Sequence, residues 1–69
     1  MRNRLKFIRL EQKLSQEQLA KRCGISRVQL TMIENEKAVP NGTTIAQLVK
    51  ATGVPAHKIF YDLDVEGGK

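Results

Sequence analysis

The sequence predicts an all-α domain of five short helices. Three observations lead there. Strand signals are scarce, confined to the brief alternation Asp62-Leu63-Asp64-Val65. Gly24, Pro40, Gly53 and Pro55 fall at intervals that punctuate helices. Ser15, Ser26 and Asn41 stand as helix caps just ahead of apolar residues at helical spacing. A chain of 69 residues is expected to be one domain, burying only about 60% of its unfolded surface.

The first helix is expected from about Arg4 to Lys13, with Leu5 and Ile8 on one face and Leu14 closing it from the next turn. Phe7 and Leu10 lie off that stripe and are expected to pack under the last helix and the tail, the alternative being simple exposed apolar residues. The second helix opens at Ser15, and Gln18 three residues on completes a capping box. Glu17 sits in its first turn, where the helix dipole favours an anion. Leu19, Ala20 and Cys23 form its apolar stripe, and Gly24 follows as a residue able to take positive φ.

The third helix repeats this design, with Ser26 as cap and Gln29 completing a second capping box. Only Gly24-Ile25 separates the two capped helices before Ser26 opens the second. So short a link prevents an antiparallel pair and makes the helices cross steeply, with Ile25 filling the corner, which is a helix-turn-helix unit. Leu30 and Ile33 face inward. Arg27, Val28, Thr31, Met32 and Asn35 share the opposite face. A loop from about Glu36 to Pro40 leads to a fourth helix capped by Asn41, carrying Ile45, Leu48 and Val49 and ending at Gly53. Pro55 suits the first turn of a fifth helix running to about Tyr61, with Ile59 and Phe60 inward. Residues 1–61 are thus read as the domain and 62–69 as an acidic tail, either frayed or a short strand pairing with its copy in a dimer. Phe60 is read both as the last turn of the core and as part of a dimer seam, and Leu63 and Val65 as seam residues.

Charge is unevenly placed. Residues 1–37 hold nine basic residues against four acidic ones, accounting for the whole net charge of +5, while residues 38–69 hold three of each. A polyanionic partner is the natural reading of such a basic half. No apolar run approaches the ~20 residues of a membrane span, and no signal-peptide pattern follows the basic start, so a cytoplasmic protein is expected. The single cysteine, Cys23, excludes an internal disulfide and fits a reducing compartment. It occupies a core position, and the lone His57 has no metal-spaced neighbour. Neither cofactor nor metal is expected. One His, one Cys and no clustered carboxylates do not assemble a catalytic constellation, so no enzyme activity is expected.

The residues Leu14-Ser15-Gln16-Glu17-Gln18-Leu19-Ala20, then Gly24-Ile25-Ser26 and Ile33-Glu34-Asn35, resemble the phage-repressor helix-turn-helix family (Cro-like, or Xre). The resemblance runs from about Arg4 to Phe60. It implies that the helix over residues 26–35 enters the major groove of double-stranded DNA, with Arg27, Val28, Gln29, Thr31 and Met32 at base edges. Arg27 would bridge guanine O6 and N7, Val28 and Met32 would meet thymine methyls, and Gln29 would read adenine if its side chain is not held in the cap. Gln16, at a helix N-terminus offering free N–H groups, is the implied phosphate contact, with Asn35 and Lys37 near the backbone. The family also pairs the residues matching Arg9 and Glu34, a structural ion pair rather than a DNA contact. Two departures stand out. Glu36 replaces a usual Gly just past the third helix, where a left-handed residue other than glycine is unfavourable, so a different helix end is expected. Gly42 and Thr52 replace large aliphatic residues, so a thin core is expected around the fourth helix.

The resulting expectation is a homodimeric transcriptional regulator, in the sense of a repressor, acting on a pseudo-palindromic operator. The rival is a protein-interaction module, such as the antitoxin of a toxin–antitoxin pair, with DNA binding secondary.

Overall fold

The computed structural model describes residues 2–61. Five helices follow in order: α1 (Leu5–Glu11), α2 (Gln16–Cys23), α3 (Arg27–Glu34), α4 (Gly42–Thr52) and α5 (Ala56–Ile59). No strand occurs among the described residues. The alternating tail segment with Leu63 and Val65 lies outside them.

The α2 boundaries follow from local chemistry. Ser15 Oγ accepts from the Gln18 N–H at 3.0 Å, and Gln18 Oε1 accepts from the Ser15 N–H at 2.8 Å. Both halves of the capping box are therefore closed. At the other end Gly24 takes φ 72, which lets its own N–H and that of Ile25 fold back onto Lys21 O and Ala20 O. Only half of the second box forms. Ser26 Oγ accepts from the Gln29 N–H at 3.0 Å, but the Gln29 side chain makes no return bond to Ser26. A single exposed hydrogen bond is worth about 1 kcal/mol, no more than the rotamer entropy of ordering a glutamine side chain.

Two other helices depart from the expected bounds. α1 stops at Glu11, because Lys13 enters the left-handed region at φ 58 and Leu14 N–H folds back to Arg9 O. Its start is capped from one residue further out than Arg4, by Asn3 Oδ1 accepting from the Leu5 N–H at 2.9 Å. α5 is a single turn. Pro55 precedes it in extended conformation, and Phe60 leaves it at φ −114, ψ 92. That turn of the backbone puts the Phe60 ring wholly inside the core. Phe60 therefore has no surface left to offer a dimer partner, and the seam reading of this residue is corrected.

The core is one cluster, in which Leu5, Leu19, Leu30, Ile33, Leu48, Ile59 and Phe60 are fully enclosed. α2 lies at its centre, packed on α3 and α4, and α4 packs on α5. Ile25, in the link between α2 and α3, is half-buried against the cluster. The buried residues of α4 are Thr44, Leu48 and Thr52, two of them polar. Thr52 meets the thin apolar supply by other means: its hydroxyl donates to Leu48 O, its Oγ1 accepts from the Val54 N–H, and its carbonyl accepts from Gln12 Nε2 at 2.8 Å. Phe7 and Leu10 are not packed as expected. They stand 75% and 55% exposed, because α1 turns Leu5, Ile8 and Arg9 inward instead; the tail lies outside the described residues. Among the described residues no helix is long and apolar enough to cross a membrane.

Candidate nucleic-acid interface

Once Leu30 and Ile33 are buried, helical geometry turns the remainder of α3 outward. Arg27, Val28, Gln29, Met32 and Asn35 are all exposed, Val28 by 64% and Met32 by 42%. The Gln29 carboxamide, absent from the cap, has no hydrogen-bond partner among the described residues. Arg27 has no ion pair there either, although it stands in the first turn, where the helix dipole disfavours a cation. This face combines a forked donor, a two-way amide and two apolar side chains, the mixture that base edges in the major groove can match.

Thr31 is on the same side but is half-buried. Its hydroxyl lies 2.9 Å from Arg27 O and 3.2 Å from Gln16 Oε1, so it is turned back into the protein. Asn35 and Lys37 follow at the far end of the helix, both exposed. There Glu36 takes φ 63, and the N–H groups of Glu36 and Lys37 close onto Ile33 O and Met32 O. The left-handed end that glycine usually provides is thus kept, with glutamate in its place. Two backbone bonds hold the helix end against the side-chain strain.

Gln16, at the start of α2, is half-buried and engaged on both ends of its carboxamide. Nε2 donates to Glu34 Oε1 at 3.0 Å, and Oε1 accepts from Thr31. The same Glu34 carboxylate accepts from Arg9 Nε at 2.7 Å and Arg9 Nη2 at 3.4 Å, while Arg9 Nη1 donates to Leu14 O. The two charged side chains are 8% and 1% exposed. No buried side-chain nitrogen or oxygen among the described residues lacks a partner. The pair locks α1 to the C-terminal end of α3 and, through Gln16, to the start of α2. Arg9, Ser15, Gln16, Glu17 and Arg27 line an open cleft where the α2 start meets the α3 start.

Sequence reasoning missed two contacts. One is the Thr31–Gln16–Glu34 network, since helical spacing places Thr31 on a face without saying which neighbour its hydroxyl meets. The other is the N-terminal segment, where Asn3 Nδ2 donates to Ile33 O at 2.9 Å and Arg4 N–H donates to Ile59 O at 2.8 Å. Arg2 and Arg4 lie over the Tyr61 ring at 5.2 and 5.4 Å from its centroid. Cys23 is buried and its pKa is raised by desolvation, which keeps the thiol protonated as a packing group.

Comparison with known proteins agrees with the helix-turn-helix fold. The helix-turn-helix family model matches residues 5–59. An uncharacterized HTH-type transcriptional regulator of Methanocaldococcus jannaschii is 38% identical over 66 residues, covering 96% of this chain and 100% of that protein. The crystal structure of a hypothetical transcription factor from Neisseria superposes with a TM-score of 0.74 at 22% identity, covering 94% of this chain and 75% of the other. At that identity the likeness is one of fold.

Proposed function

The chain belongs to the helix-turn-helix family of Xre and Cro-like proteins, and from that premise we propose that it is a transcriptional regulator reading double-stranded DNA with α3 in the major groove. The observation that carries the reading is the outward face of α3, where Arg27, Val28, Gln29 and Met32 are exposed on a helix whose other side is fixed in the core. In this reading Arg27 bridges guanine O6 and N7, Gln29 pairs with adenine, and Val28 and Met32 meet thymine methyls. Gln16 at the α2 start and Asn35 and Lys37 beyond α3 hold the phosphates and set the register. The basic excess over residues 1–37 supplies the sequence-independent part of the affinity.

One recognition helix reads only a few base pairs, too few to select a genomic site. The protein therefore acts as a homodimer on a pseudo-palindrome, with half-sites about one helical turn (~10 bp) or a multiple apart. Occupying a promoter in this way makes it a repressor. With Phe60 enclosed in the core, Leu63 and Val65 are the remaining seam candidates from the sequence.

The test compares the sequences selected from a random duplex pool by the wild type and by Arg27→Ala. The expected result is loss of preference at one position of each half-site, with affinity for the wild-type site weakened by about 1–3 kcal/mol. An unchanged motif with uniformly weaker binding would remove Arg27 from the base contacts.

A further inference from the structure

Thr31 shares the recognition face by helical position, yet its hydroxyl is directed at Gln16. Gln16 is in turn held by Glu34. A carboxylate paired with Arg9 only accepts hydrogen bonds, so Nε2, and not Oε1, must face Glu34 Oε1. Rotating the carboxamide by half a turn would set two acceptors about 3.0 Å apart. Oε1 is thereby turned to Thr31, whose hydroxyl is the donor that satisfies it at 3.2 Å. The hydroxyl has one hydrogen to share between Gln16 Oε1 and Arg27 O, 2.9 Å away. Arg27 O has the helical N–H of Thr31 as its own i+4 donor, so it does not depend on the hydroxyl. With both ends of the carboxamide committed, one of the two Nε2 hydrogens remains without a partner among the described residues, on a side chain that lines the cleft with Ser15 and Arg27.

We propose that Thr31 and Glu34 are positioning residues, fixing the Gln16 carboxamide so that its remaining N–H serves a DNA phosphate oxygen at the α2 start, and that Thr31 does not read a base. The inference rests on the DNA-binding reading above. It joins backbone contact to groove contact: the residue that orients the phosphate donor sits one turn along α3 from Arg27. Because α2 and α3 pack as one unit, the phosphate donor and the base-reading face are held in a fixed relation to each other.

The experiment is a double-mutant cycle of Thr31→Val and Gln16→Ala, read as affinity for the selected duplex and for its single-base variants. Valine keeps the shape of threonine and removes the donor, and thermal melting confirms that each variant is folded. Thr31→Val is expected to weaken binding about three- to tenfold, as loss of one hydrogen bond would, and equally across all single-base variants. In the Gln16→Ala background the same substitution is expected to have almost no effect. Thr31→Ser, which restores the donor, is expected to recover the affinity. Additive losses, or a Thr31→Val loss confined to one base pair, would overturn the inference and return Thr31 to the base contacts. Absence of duplex binding by the wild type would overturn the DNA-binding reading itself, and the inference with it.

Discussion

Glu36 holds φ 63 just past α3, a conformation that puts Cβ against the backbone and disfavours L-residues by about 1–2 kcal/mol. Glu36→Gly is therefore expected to stabilise the fold by up to about 1 kcal/mol, less than the full strain because glycine is also freer in the unfolded chain. Thermal unfolding should show a rise of several degrees, and a fall would mean that the glutamate makes a compensating contact. The opposite sign is expected at Glu34. Its carboxylate is the sole anionic partner of buried Arg9 among the described residues, so Glu34→Ala leaves a guanidinium buried and unpaired, a loss of about 3–5 kcal/mol measurable by chemical denaturation. Cys23 adds a pH dependence. Burial raises its pKa, so above the ordinary thiol range the unfolded chain releases its proton while the folded one retains it. Stability is then fully present below the unfolded pKa and declines as pH rises toward the folded one. Cys23→Ala should flatten that alkaline decline. At this scale the sequence was informative about Cys23, a cysteine on an apolar stripe, while the Arg9–Glu34 pair was legible through the family resemblance. It was silent on Thr31, whose hydroxyl had several neighbours to choose from.

Among the elements, α2 and α3 were legible because their ends are written in local residues. Ser15 with Gln18, Gly24 with its positive φ, and Ser26 with the Gln29 N–H are short-range bonds that need no tertiary context. The same locality predicts that Ser15→Ala and Ser26→Ala each destabilise by about 1 kcal/mol. Each substitution removes one side-chain acceptor, Ser15 Oγ from the Gln18 N–H and Ser26 Oγ from the Gln29 N–H, while the Gln18 return bond goes to the backbone N–H of residue 15, which alanine keeps. Comparing the two melting temperatures checks this: similar losses are expected, and a markedly larger loss for Ser15→Ala would mean that the Gln18 return bond depends on the serine hydroxyl. α5 was less legible. Pro55 and the apolar pair Ile59-Phe60 suggested two turns, but burial of the Phe60 ring required the backbone to leave the helix after one. Phe7 and Leu10 stand exposed because the inward face of α1 is taken by Leu5, Ile8 and Arg9. In each case long-range packing decided what local pattern could not.

For the whole molecule, one core centred on α2 fixes α3 from behind while its outer face stays open. The ion pair between Arg9 and Glu34, the Asn3 carboxamide bond to Ile33 O and the Arg4 N–H bond to Ile59 O tie α1 and the N-terminal segment to the ends of α3 and α5. In the proposed function, a helix so braced would meet DNA as a rigid body, with little ordering left to oppose binding. The all-helical architecture was legible from caps and spacing taken together, while the pairing of two copies stays a proposal that rests on the short reach of one recognition helix. The central claim is sequence-specific reading of duplex DNA by two copies of α3, and selection from a random duplex pool at physiological salt tests it most directly. The account predicts enrichment of a pseudo-palindrome whose half-sites are separated by about one helical turn or a multiple of it. Recovery of no motif, with binding that only fades as salt rises, would contradict it and leave a basic surface without sequence recognition.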